Sequence, residues 1–261
     1  MRFTGKERMK RVIYTCITGG YDKLREPEAV DGDFDYICFT DAAVSSEEGV
    51  WQIRPIPYSC DDPTRLSRYV KLLPHKVLGE YDESLWIDAN IAIRGNGIYD
   101  AVRRASSSGS LVAQVPHLVR DCVYEEIAAC YKDLRIGFRE ARRTRRHLLS
   151  EGFPRHFGLM ENNLIFRRHN DPAVISLSEA WWEEYNRFSR RDQLSLMPVC
   201  RKCGLYPENL LGEGANVRNV PYLDYSRHTL AGDPSAKRGL RRIPLKIKWS
   251  WRRIVAGLFL S

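Results

Sequence analysis

The chain is short of the features that mark several large protein classes. No run of 18 apolar residues occurs in its 261 residues, so no helix is expected to span a bilayer. The opening MRFTGKERMKRVIYTCITGG is basic, but its apolar run is short, contains Thr and ends in Gly-Gly. It reads as a first strand and not as a secretion signal. Glycine-rich phosphate loops ending in Lys are missing, which ranks nucleotidyl transfer low. The seven cysteines are odd in number and scattered, and Cys16, Cys38, Cys122 and Cys130 sit in apolar surroundings. Reduced core thiols in a cytoplasmic protein account for them, not a disulfide framework. Cys200 and Cys203 form a single C-x-x-C pair with no second ligand pair nearby, which argues against a closed zinc site there. No internal repeat is visible.

A hydrophobic content of 43% with 11% aromatics is that of a folded globular protein. The net charge of +8 points to an acidic partner: a nucleic acid, an anionic lipid or a phosphorylated molecule.

Residues 11–18 and 35–41 are β-branched and aromatic runs ending in Gly19-Gly20 and Asp41, and both read as strands. Residues 50–57 read as a third strand near an edge, because of Pro55 and Pro57. Asp61-Asp62-Pro63 supply a cap and a first-turn proline for a helix over 61–78, with Leu66, Val70, Leu73 and Val77 at helical spacing and a kink at Pro74. Segment 84–93, SLWIDANIAI, reads as one strand. A helix carrying Ile98, Ala101, Val102 and Ala105 follows, then a strand over 111–117, a long Arg-rich helix over 123–150, a strand over 162–168 and helices over 172–188 and 191–202. Strands alternating with helices predict an α/β fold, a single Rossmann-like domain over 1–236 with a mostly parallel central sheet. Residues 237–261 differ: eight Lys or Arg, no acid, and Trp249, Trp251, Ile254, Val255, Leu258 and Phe259. This amphipathic tail suits an anionic membrane surface, and equally a helix docked on the domain with a solvated basic face.

The most pointed chemistry lies in Asp88-Ala89-Asn90, a carboxylate inside an apolar run. In an extended strand Asp88 and Asn90 share a face, and a buried carboxylate needs a cation. A divalent metal carrying a phosphorylated substrate meets that need, and so does a paired Arg. A nucleoside diphosphate would further need a loop for base and ribose and cations for its phosphates. Thr15, Thr18 and Tyr21 flank Gly19-Gly20 at the end of the first strand, and Asp41 ends the second, where open α/β sheets form their crevice. Arg65, Arg68 and Lys71 recur every three residues as a cationic edge on the 61–78 helix. Asp192 in RRDQLS opens a helix, as a cap or as a group facing an acceptor. Glu161 precedes a strand, His117 follows one, and His228 lies in a loop-like region. The Arg run 135–146 forms a helical face that is either solvated or meets phosphates.

The ordered blocks YTCITGGYD, DYICFTD, DDPTRLSRYVKLLPH, SLWIDANI, PHLVRDCVYEE, GLMENNLIFRRHN and SRRDQLSL resemble a glycosyltransferase-like family of bacteria and plants whose plant members are linked to cell-wall pectin. The resemblance covers roughly residues 11–203. It implies a GT-A fold and a nucleotide-sugar donor, a UDP sugar first among the options. Asp88-Ala89-Asn90 matches the place of the family's Asp-x-Asp metal motif, with Asn90 in place of the second acid. The resemblance further implies Mn²⁺ or Mg²⁺ on Asp88 and Asn90, with His228 or its rival His117 completing the shell. Thr15, Thr18, Tyr21 and Asp41 would hold the nucleotide, and Arg65, Arg68 and Lys71 its phosphates. Asp192 or Glu161 would orient or deprotonate the acceptor hydroxyl. With the basic tail suggesting work at a membrane surface, the expected acceptor is a glycan or lipid-linked glycan of a surface polysaccharide, handled in the cytoplasm with the inner face of the membrane as an option, and no nucleic acid is expected. The competing reading is a non-enzymatic basic module for anionic membrane or nucleic acid; it rests on the +8 charge, the Arg face and the tail, and leaves Asp88 unexplained.

Overall fold

The computed structural model describes residues 8–20, 22–42 and 47–226, together with 252, 256 and 257. Tyr21, His228 and nearly all of the 237–261 tail lie outside the described residues.

An eight-stranded sheet runs through the molecule in the order β3-β4-β2-β1-β5-β8-β7-β9. Its strands are β1 (Arg11–Ile17), β2 (Phe34–Thr40), β3 (Glu47–Glu48), β4 (Trp51–Pro55), β5 (Glu83–Ile87), β7 (Val112–Pro116), β8 (Met160–Arg167) and β9 (Glu208–Asn209). A separate pair joins β6 (Ile91–Ile93) to β10 (Leu223–Tyr225). Strands β4, β2, β1 and β5 are mutually parallel. The predicted α/β architecture with a mostly parallel sheet is therefore what the chain adopts. Two strands depart from it: the short edge strand β3 is antiparallel to β4, and β8 is antiparallel to both β5 and β7. Because β8 reverses direction between them, β5 and β7 end on the same edge of the sheet, and β8 begins there.

Alternation divides the core. Val12, Tyr14 and Cys16 face one layer with Val70, Ile127, Trp181 and Leu194, and Ile13 faces the other with Ile98, Val102 and Val217. The first layer is covered by α1 (Pro63–Leu72), α2 (Pro74–Val77), α4 (Val123–Lys132), α5 (Phe138–Ser150), α6 (Pro172–Arg187) and α7 (Gln193–Cys203), and the second by α3 (Gly97–Ser107). No helix among the described residues is long and apolar enough to cross a membrane. All seven cysteines are free, and only Cys203 is exposed.

Three local expectations are corrected. The run 123–150 is two helices, because Leu134 takes a left-handed φ of 63° and the chain turns Ile136 into the core before Gly137 starts α5. Segment 84–93 is not one strand. It stops at Ile87, turns over Asp88-Ala89-Asn90 with Ile91 N–H bonded to the Asp88 carbonyl at 2.9 Å, and resumes as β6. Asp88 and Asn90 therefore stand at a strand end and not side by side on a pleat. Lys71 is no surface cation either, being 2% exposed. The break at Pro74 is as expected, with α1 ending at Leu72 and α2 starting at Pro74.

Candidate active site

The carboxyl ends of β1, β2, β5 and β7 and the start of β8 form one edge, and most of the predicted residues among those described gather along it. Asp62 caps α1, its Oδ1 accepting from the N–H groups of Thr64 and Arg65 at 3.0 and 3.4 Å. The helix so started carries Arg68 and Lys71 on successive turns of one face. Lys71 Nζ lies 3.2 Å from Asp88 Oδ1 and 3.0 Å from Asp192 Oδ2, while Arg68 Nε lies 3.4 Å from Asp192 Oδ1. Two carboxylates and two cations thus alternate, which is how charges survive at this depth. The Lys71 carbonyl accepts from buried Arg167 at 2.7 Å, which fixes the helix over the sheet.

Asp192 is 4% exposed by its side chain and does not use that side chain as a helix cap. Burial pushes its carboxyl up, but Arg68, Lys71 and Arg191 outweigh burial and hold it far below the usual carboxylate range. Its backbone carbonyl accepts from Trp181 Nε1 at 3.0 Å, and neighbouring Gln193 donates to the Met160 carbonyl at 2.9 Å. The start of α7 is thereby pinned beside β8.

Asp88 is different. Its Oδ1 accepts from Trp86 Nε1 at 2.7 Å as well as meeting Lys71, yet the side chain stays 30% exposed. Trp86 sits two residues earlier on β5, with Lys71 Nζ 5.2 Å above its ring. Asn90 is buried; its Nδ2 donates to the Ser226 carbonyl at 2.8 Å, and its Oδ1 has no partner. An unpartnered amide oxygen and a half-free carboxylate, both hard donors, fit Mg²⁺ or Mn²⁺. The fit is partial, because Asp88 belongs to no group of three His, Cys, Asp or Glu side chains close enough to share an ion among the described residues.

The first-strand end is shaped by Gly19 and Gly20, both at φ 63°. Asp41 takes the Gly19 N–H on both oxygens, at 3.1 and 3.0 Å, and Thr18 Oγ1 donates to the Pro63 carbonyl at 2.8 Å. The crevice between β1 and β2 therefore touches the start of α1. Thr15 does not reach it: at 1% exposure inside β1, its hydroxyl has no partner and faces the core. Arg65 lies half-buried one turn before Arg68.

Glu161 begins a second cluster. It accepts from Arg218 Nη1 at 2.9 and 2.8 Å and from Asn163 Nδ2 at 2.8 Å. His117 lies nearby with Arg120 and Glu126, its Nδ1 accepting from the N–H groups of Val119 and Arg120 at 3.2 and 3.0 Å. Burial lowers its pKa against the pull of Glu126. With Nδ1 occupied and Nε2 turned to Glu126 at 3.8 Å, His117 belongs to the Glu161 side. The two clusters meet through β8, because the Asp88 N–H donates to the Asn163 carbonyl at 3.0 Å.

Sequence reasoning missed Trp86, Arg218 and Ser226. Trp86 was legible in principle, since the alternation that faces Asp88 outward places its i−2 neighbour on the same side. Arg218 and Ser226 carry no local signal; only the chain's return brings them here.

A family model described as TOD1/MUCI70, glycosyltransferase-like domain, matches residues 4–210. No curated protein matches the chain. Among solved structures the chain is similar to the WbbM bifunctional glycosyltransferase, at 9% identity over 80% of this chain and 39% of that one, with a TM-score of 0.43. It is also similar to mouse xyloside xylosyltransferase 1, at 9% identity over 77% of this chain and 84% of that one, with a TM-score of 0.44. A third likeness is to core-mannan synthase A from Aspergillus fumigatus in its Mn/GDP form, at 9% identity over 75% and 71% of the two chains, with a TM-score of 0.44. The chain spans well under two thirds of WbbM, and likenesses this low carry no argument about the site.

Proposed function

Since the chain belongs to the TOD1/MUCI70 glycosyltransferase-like family, we propose that it moves a sugar from a nucleotide-sugar donor, a UDP sugar first, to a hydroxyl of a glycan or lipid-linked acceptor. One observation carries this reading: a half-exposed carboxylate, Asp88, at a parallel-strand end, beside the buried unpartnered oxygen of Asn90 and backed by Lys71. Open α/β sheets bind nucleotides along that edge. The Gly19–Asp41 crevice, with Thr18 at its rim, would take base and ribose, and Tyr21 would assist as a further nucleotide contact.

Asp88 and Asn90 would hold Mn²⁺ or Mg²⁺, with His228 as a further ligand. Bound there, the ion supplies Lewis acidity to the departing diphosphate. Lys71, Arg68 and Arg65 present positive charge to the same phosphates. The bond from anomeric carbon to phosphate oxygen breaks, and the acceptor oxygen forms the new bond to that carbon. Glu161 orients the acceptor hydroxyl and takes its proton, with Arg218 fixing the carboxylate. Asp192, locked as an anion between Arg68 and Lys71, acts as a positioning residue for those cations rather than as a base. Work on a surface polysaccharide at the inner membrane face would use the 237–261 tail as an address; deleting it should release the protein from anionic vesicles and leave turnover intact.

The test is transfer and donor hydrolysis with UDP, GDP and CDP sugars, with and without Mn²⁺. Asp88→Ala should lose at least about 100-fold in turnover, as expected when a group that stabilises leaving-group charge is removed. Equal activity of Asp88→Ala and wild type sinks the metal assignment. Asn90→Asp adds a charge: tighter Mn²⁺ binding by calorimetry supports Asn90 as a ligand, and a change in sugar preference alone assigns it to the donor.

A further inference from the structure

A second group of metal-binding side chains lies apart from Asp88. It is formed where the loop after β7 meets the loop before β8. Asp121 and Cys122 end the first loop, Glu125 lies in the first turn of α4, and His156 comes from the second. The donor atoms of Cys122, Glu125 and His156 all lie within 4.8 Å of one another. Cys122 is buried and free, while Glu125 and His156 are exposed.

The ring of His156 is already aimed. Its Nδ1 lies 2.7 Å from Asp121 Oδ1 and its Nε2 lies 4.0 Å from Glu125 Oε1. With the Nδ1 proton donated to Asp121, Nε2 and the Glu125 oxygen are two acceptors that face each other across a gap too wide for a hydrogen bond. A cation between them satisfies both. A carboxylate on the far ring nitrogen is also the usual way a metal-bound histidine is oriented. Tetrahedral zinc, with bonds of about 2.0–2.3 Å, sets neighbouring ligand atoms about 3.3–3.6 Å apart. The observed spacing, 4.8 Å at most, closes to that with movements of up to about 1.5 Å, which the exposed Glu125 and His156 can make.

We propose that Cys122, Glu125 and His156 bind one Zn²⁺, with Asp121 orienting the histidine and water as fourth ligand. Thiolate with imidazole selects zinc over Mg²⁺ or Mn²⁺, so this site differs in chemistry from the all-oxygen pair at Asp88 and Asn90. The thiol proton is released as the Zn–S bond forms. The ion clasps two loops whose main chains already meet, the Gly158 N–H donating to the Asp121 carbonyl at 2.9 Å. One of those loops leads directly into Glu161, and His156 itself holds a left-handed φ of 54°. The clasp therefore acts on the placement of Glu161 from outside the transfer site. It stands or falls independently of the donor reading.

The test uses the full chain, stripped with a chelator and titrated with Co²⁺, which reports thiolate ligation as a near-ultraviolet charge-transfer band. One equivalent should develop the band, and Zn²⁺ should abolish it by displacement. Cys122→Ser and His156→Ala should each lose the band; the exposed His156 guards against a folding artefact at Cys122. Asp121→Asn should weaken binding 10–100-fold. The band should persist in Asp88→Ala and in Cys200→Ser/Cys203→Ser. The proposal is overturned by a wild type without the band, meaning an ion-paired histidine only, by a band that survives Cys122→Ser, or by one that vanishes with Cys200 and Cys203.

Discussion

Replacing Lys71 by Met should reveal how much of the molecule's stability hangs on the charge arrangement at the site. The ammonium is 2% exposed and lies 3.0 Å from Asp192 and 3.2 Å from Asp88. Removing one member of a buried pair typically costs about 3–5 kcal/mol, because the partner is left charged and dry. Here Arg68 still faces Asp192 at 3.4 Å, and Asp88 can turn to solvent. The low end, about 3 kcal/mol, is therefore expected, which for a chain of this size lowers Tm by about 6–12 °C. The effect has a pH signature. Asp192 is held far below the ordinary carboxylate range, so its contribution is fully present above about pH 3.9, the unfolded value, and fades as pH falls through the folded one. Without Lys71 the carboxyl rises, protonates sooner in acid, and the deficit narrows as pH drops. Urea unfolding at pH 7 and at about pH 3, below the unfolded carboxylate value, measures this. Adding Asp192→Asn to Lys71→Met should recover more than half of the loss at pH 7. A single variant within about 1 kcal/mol of wild type, or an Asn change that adds to the damage, would refute the assignment of Lys71 as the balancing charge.

Other outcomes follow from single sites. His169 is fully buried, faces the Leu78 carbonyl at 2.8 Å through Nε2, and is lowered by burial to about 4. Its folded value lies below the unfolded one, so stability present above about pH 6.5 should fall by about 3 kcal/mol on acidification to pH 4, and His169→Gln should flatten that part of the denaturation-versus-pH curve. Gly97→Ala would place a Cβ 2.3–2.6 Å from the Tyr222 ring; a loss of about 1–3 kcal/mol by urea unfolding is expected, relieved by Tyr222→Ala. Ellman's reagent on the native protein should titrate one fast thiol, since only Cys203 is exposed; Cys203→Ser should abolish the fast phase.

Most of the sheet was legible because strand signals are local. The β-branched runs 11–18 and 35–41, the proline-opened helix and the alternating segments required no knowledge of distant chain. The errors came where tertiary burial overrode periodicity. The 123–150 pattern reads as one helix, but burying Ile136 demands a break. SLWIDANIAI reads as one strand, yet its middle must turn to join β6 to β10. At the site, Asp88, Asn90, Arg68 and Lys71 were visible as residue types in suggestive places. Their mutual pairing was not, because spacing on one helix says nothing about Asp192 on another 120 residues later. The odd, scattered cysteines gave no hint that Cys122 meets His156.

The clasp between Asn90 and Ser226 carries a consequence for biosynthesis. The Asp88–Asn90 turn is shaped early in the chain, but its cover arrives with β10, 136 residues later, through bonds from Asn90 to Ser226 and from Arg25 to Asp224. Contacts so distant in sequence close late in folding. A nascent chain that has emerged only to residue 210, where the family match ends, already owns every strand of the main sheet. It still has Asn90 uncovered and Glu161 without Arg218. Scaffold and candidate site are thus separated in time, and a stalled or truncated chain would be folded in outline while its Asp88 and Glu161 clusters remain incomplete.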